Sequence, residues 1–485
     1  MKKTLLWSLA CLFAVCCAMP AWAQDDQEIS APPTDTAAWK LARYATNLKY
    51  EDLPPDVVAN AKRRILDTLG AAFGGYKADS ITALREVMVS EGGTPEATII
   101  GSGQKTSVVS ATIVNGSMMR YLDFNDTYWS PKYGYMHPSN SIAEALAVAE
   151  RQHASGKDLI LATVLAYEIQ SRLANTFSWP GFEQHSGGGF TAPIVAGKLL
   201  HLTPEQMANA IGIGSSHNFA LAGDYGVGYT SNMKALGYAA GSGSGVTAAL
   251  LAQKGFTGPV TIIESYHQAF EKNKPLDPLF DNGGSFLILK AEMKPYEAYH
   301  VSHSSIFGAI ELAKENHINP DEIAKVLVRG LPNRNNSPAT RNTRIPLTKE
   351  DADHNLAFLV ATGITDGAVG PDQYAKQEWK QPKMRELMGK MWFQGDAEMT
   401  KNFPDHWDCD VTITMKDGTV YTKHVDLPKG QPGNPMTDDE INAKFTNMAE
   451  KLMPKSQVDA IIKTVYNLDN IKDVSDLTKL LVATK

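Results

Sequence analysis

Asp410-Val411-Thr412-Ile413-Thr414-Met415-Lys416-Asp417-Gly418-Thr419-Val420-Tyr421-Thr422-Lys423-His424-Val425 is the stretch on which the architecture turns. β-Branched residues alternate with other side chains on both sides of Lys416-Asp417-Gly418, so 410–415 and 419–425 are predicted to form an antiparallel hairpin. Phe286 to Leu289 and Ile323 to Val328 are shorter runs of the same kind and are predicted strands too. These runs mark a compact α+β unit over roughly 291–430. Before it the chain is mostly helical. From Trp39 apolar residues recur at helical spacing through Leu41, Ala42, Ala45 and Leu48. A second helix follows Pro54-Pro55, with Val58, Ala61, Ile65, Leu69 and Ala72 on one side and Gly74-Gly75 as its stop. Ala97 to Ile100 reads as one short strand. Ala-rich, helix-period stretches then run at about 106–122, 140–154, 157–177, 190–200, 204–221 and 232–254. Beyond the Pro/Gly-rich 428–435, Thr437-Asp438-Asp439-Glu440 has capping-box spacing and opens a helical region that reaches the C-terminus. The predicted fold is mainly α: an all-α domain built from both chain ends, 35–290 and 431–485, with an α+β domain inserted at 291–430. No internal repeat of fixed period is present.

The chain has 485 residues, 43% apolar and 20% charged, which suffices for a large core and one to three domains. Its 38 Gly and 26 Pro are close to average usage, which excludes collagen-like and low-complexity classes. Met1-Lys2-Lys3, the apolar run Leu5 to Cys17 and Ala21-Trp22-Ala23 have the pattern of a secretory signal peptide, with cleavage expected after Ala23. The apolar run is too short to cross a bilayer. Cys11, Cys16 and Cys17 lack the leucine three residues upstream that a lipoprotein signal needs. The expected location is therefore periplasmic or secreted, with residues 24–34 as a flexible mature N-terminus. Loss of Lys2 and Lys3 makes the net charge of −7 two units more negative, so neither nucleic acid nor a membrane surface is expected as a partner. Only Cys409 of the four cysteines then remains. An intramolecular disulfide is excluded, as is an iron–sulfur cluster, which needs about three or four thiolates. Cysteine-rich structural zinc goes the same way, and no metal is expected.

Gly241-Ser242-Gly243-Ser244-Gly245 has the look of a dinucleotide loop, but no strand precedes it, and small residues in an Ala-rich helix signal close helix packing. Gly212-Ile213-Gly214 fails in the same way. No H-E-x-x-H, P-loop or G-x-S-x-G is present, and no cofactor is expected.

The polar residues of interest fall in islands. Tyr121-Leu122-Asp123-Phe124-Asn125-Asp126-Thr127 closes an apolar helix, and His137-Pro138-Ser139-Asn140 follows an aromatic loop; helix capping and catalysis suit these residue types equally. In Glu183-Gln184-His185-Ser186-Gly187-Gly188-Gly189 a histidine precedes a glycine turn, which is either a solvated loop or a site. Lys234 opens a small, apolar helix, where it either snorkels to water or meets an anion. Lys294-Pro295-Tyr296-Glu297-Ala298-Tyr299-His300-Val301-Ser302-His303 lies at the predicted domain junction, a common place for a cleft.

In this order the islands resemble the MmgE/PrpD family, which includes 2-methylcitrate dehydratase and cis-aconitate decarboxylase. The resemblance runs from about Trp39 to the C-terminus. Tyr121 to Tyr128 followed by His137-Pro138-Ser139 is its most specific segment. His185, Lys234-Ala235, Lys294 to His303, Asp351-Ala352-Asp353-His354 and Asn442-Ala443-Lys444-Phe445 add to it. The resemblance implies a helical domain from both chain ends with an α+β lid, a homodimer, and cofactor-independent elimination, decarboxylation or isomerisation of small polycarboxylates. It also implies a site containing Asp123, Thr127, His137, His185, Lys234 and Lys294, with His303 beside them.

Dehydrating a hydroxy acid requires removal of an activated C–H proton and protonation of the departing hydroxyl, for which histidine is suited. The expected roles are His137, oriented by Asp123, and His185 as proton-transfer groups. Lys234 and Lys294 would neutralise substrate carboxylates and the charge that develops on them, and Thr127 would position the substrate. The expected activity is that of a hydro-lyase similar to 2-methylcitrate dehydratase. A decarboxylase, an epimerase or a non-catalytic periplasmic carboxylate-binding protein are the alternatives. Three features depart from the family pattern: the aromatic insertion with Trp129, Tyr133 and Tyr135, Asn140, and Phe358.

Overall fold

A computed structural model of the protein describes residues 32–222, 230–330 and 345–484; the expected signal segment 1–23 lies outside them. The fold is mainly α. The helix Pro55–Gly75 opens with proline in its first turn, where the missing N–H costs nothing, and buries Val57, Ala61, Ile65 and Leu69 on one stripe. Against it lies Asp438–Ala449, whose start is the capping box Thr437/Glu440. One hydrophobic core thus draws on both chain ends, from Ala37 to Met293 and again from Ile441 to Leu481.

At the centre of this core the helix Met233–Gln253 packs against Val108–Tyr121 and Gly187–Leu199. The Gly241–Gly245 run is helical, as its small residues predict. A Cβ on Gly243 would stand 2.6 Å from Ile113, and one on Gly245 would stand 2.7 Å from Ala192. Gly187-Gly188-Gly189, expected to be a turn, is instead the first turn of the Gly187–Leu199 helix. The physical reason is backbone proximity: a Cβ on Gly189 would lie 2.7 Å from the Gly214 carbonyl. The helix expected over 204–221 stops at Ser215. There the Asn218 side chain donates to the Gly214 carbonyl at 2.6 Å and satisfies it in place of another turn.

A second core spans Ala298 to Ile413. Its sheet has the order Met391–Gly395, Ile323–Gly330, Cys409–Met415, Val420–Val425, with the first pair parallel and the others antiparallel. The hairpin is as predicted, and Gly418 takes φ +91° in its turn. The helix His303–Glu315 lies on the sheet, where a Cβ on Gly308 would reach 3.0 Å from Val411 and Val425. The expected strand at Phe286 to Leu289 is a 3₁₀ turn, Leu287–Lys290. The Leu287 N–H donates to the buried Glu168 carboxylate instead of to a neighbouring strand, a choice that a four-residue apolar run cannot reveal. Of Ala97 to Ile100, only Ala97–Thr98 pairs, with Lys105–Thr106. Phe358 is fully buried against Tyr374 and Trp379, so this departure from the family pattern is a packing residue of the second core. Among the described residues no helix is long and apolar enough to cross a membrane.

Candidate active site

The Val108–Tyr121 helix ends at Leu122, and Asp123 follows with φ +56°, a left-handed conformation that Asp tolerates better than most residues. This turn carries the Asp123 carboxylate inward, where it meets basic side chains from four separate segments. Arg120 Nη1 lies 2.6 Å from Oδ1, Lys294 Nζ 2.9 Å from Oδ1, His354 Nε2 3.3 Å from Oδ2 and Lys234 Nζ 3.5 Å from Oδ2. Burial by itself would raise the Asp123 pKa, but Arg120, Lys234, Lys294 and His354 outweigh it and hold the carboxyl well below the usual range. Asp353 continues the network, with Lys234 Nζ at 2.6 Å, Lys349 Nζ at 2.8 Å and the neighbouring His354 Nδ1 on its other oxygen. Lys349 also pairs with Glu297 at 2.8 Å, and burial pushes the Glu297 carboxyl up to about 7. Burial pulls Lys234 and Lys294 below the ordinary lysine value while Asp123 opposes it.

Four cations, Arg120, Lys234, Lys294 and Lys349, therefore surround two firmly ionised carboxylates, Asp123 and Asp353. Asp123, Asp353 and His354 could in principle ligate a metal. The surrounding positive charge argues against a cation there and favours an anion.

Thr127 and His137 sit together beside this network. The Asp126 carbonyl lies 2.7 Å from His137 Nδ1; because a carbonyl can only accept, Nδ1 carries the proton and Nε2 has the lone pair. The Thr127 hydroxyl is 3.1 Å from the same Nδ1. Burial, then Arg120 and Lys294, keep His137 neutral by lowering its pKa well below 6.5. The expectation that Asp123 orients His137 is corrected: the Asp126 carbonyl and Thr127 do so, and Asp123 is occupied by its cations. Asp126 is a capping and packing residue, accepting from the Ser139 N–H at 3.1 Å and pairing with Arg64. Asn140 accepts from Asn125 at 3.0 Å, which ties the two islands together.

His185 is buried, not a solvated loop residue. A Cβ on Gly237 would stand 2.5 Å from its Nδ1, which places the ring against the Lys234 helix one turn beyond that lysine. Gly237→Ala is therefore expected to displace the ring, lowering kcat/KM by about a hundredfold while costing only about 1–3 kcal/mol of stability. Unchanged kinetics with a lowered Tm would remove His185 from the site. His303 lies tilted beside Tyr296, ring centroids 5.6 Å apart, and its Nε2 lies 3.3 Å from the Ala298 carbonyl; burial and Lys294 take its pKa down to about 3. The histidine beside His137 is His300, with ring centroids 6.2 Å apart. The aromatic insertion packs over both: Trp129 lies 4.3 Å from the His300 ring, and Tyr135 lies 5.7 Å from that of His137. A cleft of about 710 Å³ opens beyond Trp129 and reaches the buried residues at Thr127 and Glu292.

The sequence reading missed Arg120, Glu292, Glu297, His300, Lys349, Asp353 and His354 as parts of this constellation. A local signal existed for Arg120, three residues before Asp123 on one helix face, and for Asp353-His354 within an island already marked.

Residues 39–273 match the MmgE/PrpD N-terminal domain and residues 296–470 match the MmgE/PrpD C-terminal domain. The chain is 26% identical over 455 residues to the cis-aconitate decarboxylase of Homo sapiens, covering 90% of this chain and 92% of that protein. It is 23% identical over 476 residues to the cis-aconitate decarboxylase of Aspergillus terreus, covering 91% and 95%. It is 24% identical over 476 residues to the 2-methylcitrate dehydratase of Cupriavidus necator, covering 89% and 94%. The two domain matches lie in order along most of the chain and include every residue around Asp123 except Lys294, which falls between them: this protein belongs to the MmgE/PrpD family.

Proposed function

We propose that the protein is an exported, metal-independent lyase that removes water from a small citrate-like hydroxy-polycarboxylate. The observation that carries this reading is the excess of buried cations around Asp123 and Asp353, a setting that favours a multiply charged anion. Beside it stands neutral His137 with an unprotonated Nε2, suited to accept a proton from carbon. Lys234 and Lys294 stabilise the negative charge that then develops on the adjacent carboxylate. His185 donates to the departing hydroxyl, and Thr127 holds the substrate. Decarboxylation is the second reading, supported by the relatives named cis-aconitate decarboxylase, and it shares the carbanion that these groups would stabilise.

The test is purified protein from Gln24 onward, with EDTA, against citrate, 2-methylcitrate and cis-aconitate, following alkene absorbance and released CO₂. Alkene formation with loss of water, abolished in Lys234→Ala, is the expected result. Release of CO₂ selects the second reading. Ligand-dependent thermal stabilisation without turnover would leave a carboxylate-binding protein.

A further inference from the structure

The hairpin of the second core carries the pattern His-x-Asp twice, as His406-Trp407-Asp408 and His424-Val425-Asp426. Cys409 pairs with Val425 and Asp410 with His424, so Asp408 and Asp426 meet one step beyond the paired strands. Side chains alternate across a strand: Cys409 and Val425 are buried in the core, and the His and Asp residues share the opposite face. His406, Asp408 and Asp426 each offer a ligand atom there, all within 4.8 Å of one another. His424 Nε2 adds a further donor, 3.9 Å from Asp408 Oδ1.

The neighbours of this set hold it in a metal-ready form. Asp410 Oδ1 lies 2.7 Å from His424 Nδ1 and, being a carboxylate oxygen, accepts the Nδ1 proton. In the neutral ring the lone pair is then on Nε2, on the side of Asp408. Arg329 Nη2 lies 2.6 Å from the other Asp410 oxygen and fixes that carboxylate in turn. A carboxylate that orients a histidine through its second nitrogen is the usual support of a metal ligand. Asn402 donates to Asp408 Oδ2 at 2.8 Å, which aims Oδ1 at the cluster. Arg329 balances Asp410, so Asp408 and Asp426 supply two negative charges among neutral imidazoles, the charge a divalent cation matches. The scarcity of cysteine bears only on thiolate sites; the donors here are imidazole and carboxylate.

We propose that His406, Asp408, His424 and Asp426 form a binding site for one divalent transition-metal ion of the Zn²⁺ class, placed to brace the wall of the cleft. An ion about 2.1 Å from each donor holds neighbouring donors about 3.4 Å apart, so small rotations of these side chains complete the site. His406, now paired with Asp426, would share that carboxylate with the ion. Trp407 lies between two of the ligands, and its N–H donates to the Asp426 carbonyl at 2.8 Å. Its ring lines the 710 Å³ cleft, with centroids 5.9 Å from Trp129 and 6.1 Å from His300. An ion joining His406 and Asp408 to Asp426 therefore fixes the segment that carries this wall. It supplies no group to the reaction, and the site does not depend on the lyase reading.

The test is calorimetric titration of Zn²⁺ into tag-free protein from Gln24 onward, after removal of metal with EDTA and of the chelator by desalting. Saturation at about one ion per chain is expected, together with a change in tryptophan fluorescence that is lost in Trp407→Phe. Asp410→Asn, which reaches the ion only through His424, should weaken binding by about ten- to a hundredfold. The double variant His406→Ala/His424→Ala should lose binding. Both histidine side chains are more than half exposed, so in EDTA its melting temperature should match the wild type, and Zn²⁺ should raise only that of the wild type. Failure of the wild type to bind Zn²⁺, or wild-type affinity in the double variant, would overturn the site. Binding without the Trp407 signal would overturn the brace. Turnover measured in EDTA tests the lyase reading separately, so the two can fail independently.

Discussion

His137→Ala is expected to lower kcat by about 10²–10⁴-fold while leaving the fold and substrate binding nearly intact. The ring contributes two hydrogen bonds at Nδ1, to the Asp126 carbonyl and the Thr127 hydroxyl, and Asp126 keeps its ties to Arg64 and Ser139 without it. The ring is not part of the charge network, so the cations that would hold the substrate remain paired as before. Stability should fall by about 1–3 kcal/mol, the cost of a lost buried side chain that takes its N–H away from the Asp126 carbonyl. Because burial and the nearby Arg120 and Lys294 hold the His137 pKa well below 6.5, the wild-type base is already neutral in mildly acidic solution. Loss of activity in that range should come from another group, and the acid limb of the wild-type profile should not shift when His137 alone is changed to another neutral base. Turnover within a few-fold of wild type in His137→Ala, measured as kcat well below the variant's melting temperature, would exclude His137 as the proton acceptor.

Lys444→Met is expected to cause the largest loss of stability, about 3–5 kcal/mol, because it leaves a buried carboxylate without its partner. Lys444 Nζ lies 2.6 Å from Asp67 Oδ1 and donates to the carbonyls of Phe124 and Lys294, each at 2.8 Å. Its ammonium also sits 3.9 Å from the Phe124 ring centre. One side chain from the C-terminal helix thus fixes the residue after Asp123 and the backbone of Lys294, the two arms of the candidate site. Burial already raises the Asp67 pKa, and Lys444 is the first group that opposes it. In the variant the carboxyl can relieve its isolation only by taking up a proton, so the stability difference from wild type should shrink as pH falls. The double variant with Asp67→Asn should recover much of the loss. Chemical denaturation of the two single variants and the double variant at two pH values measures the coupling directly. Additive losses would mean that Lys444 and Asp67 do not act as a pair.

Much of this protein follows from local sequence. The hairpin at Lys416-Asp417-Gly418, the capping box at Thr437 and Glu440, and the helical Gly241–Gly245 run are each set by turn chemistry, side-chain capping or small-residue packing within a few residues. The islands around Asp123, His137, Lys234 and Lys294 were legible because polar residues interrupt apolar, Ala-rich helices. Their partners were not. Asp123 and Lys294 are 171 residues apart and Lys234 and Asp353 are 119 apart, so only the packed fold brings their charges together. Tertiary structure also decided that Leu287 N–H meets Glu168 rather than a strand, that His300 and not His303 stands beside His137, and that Glu292 reaches the cleft. Periodicity and turn residues act over a few positions, and a sequence displays them openly. Desolvation and charge pairing depend on which distant segments meet, and that is settled only when both cores have closed.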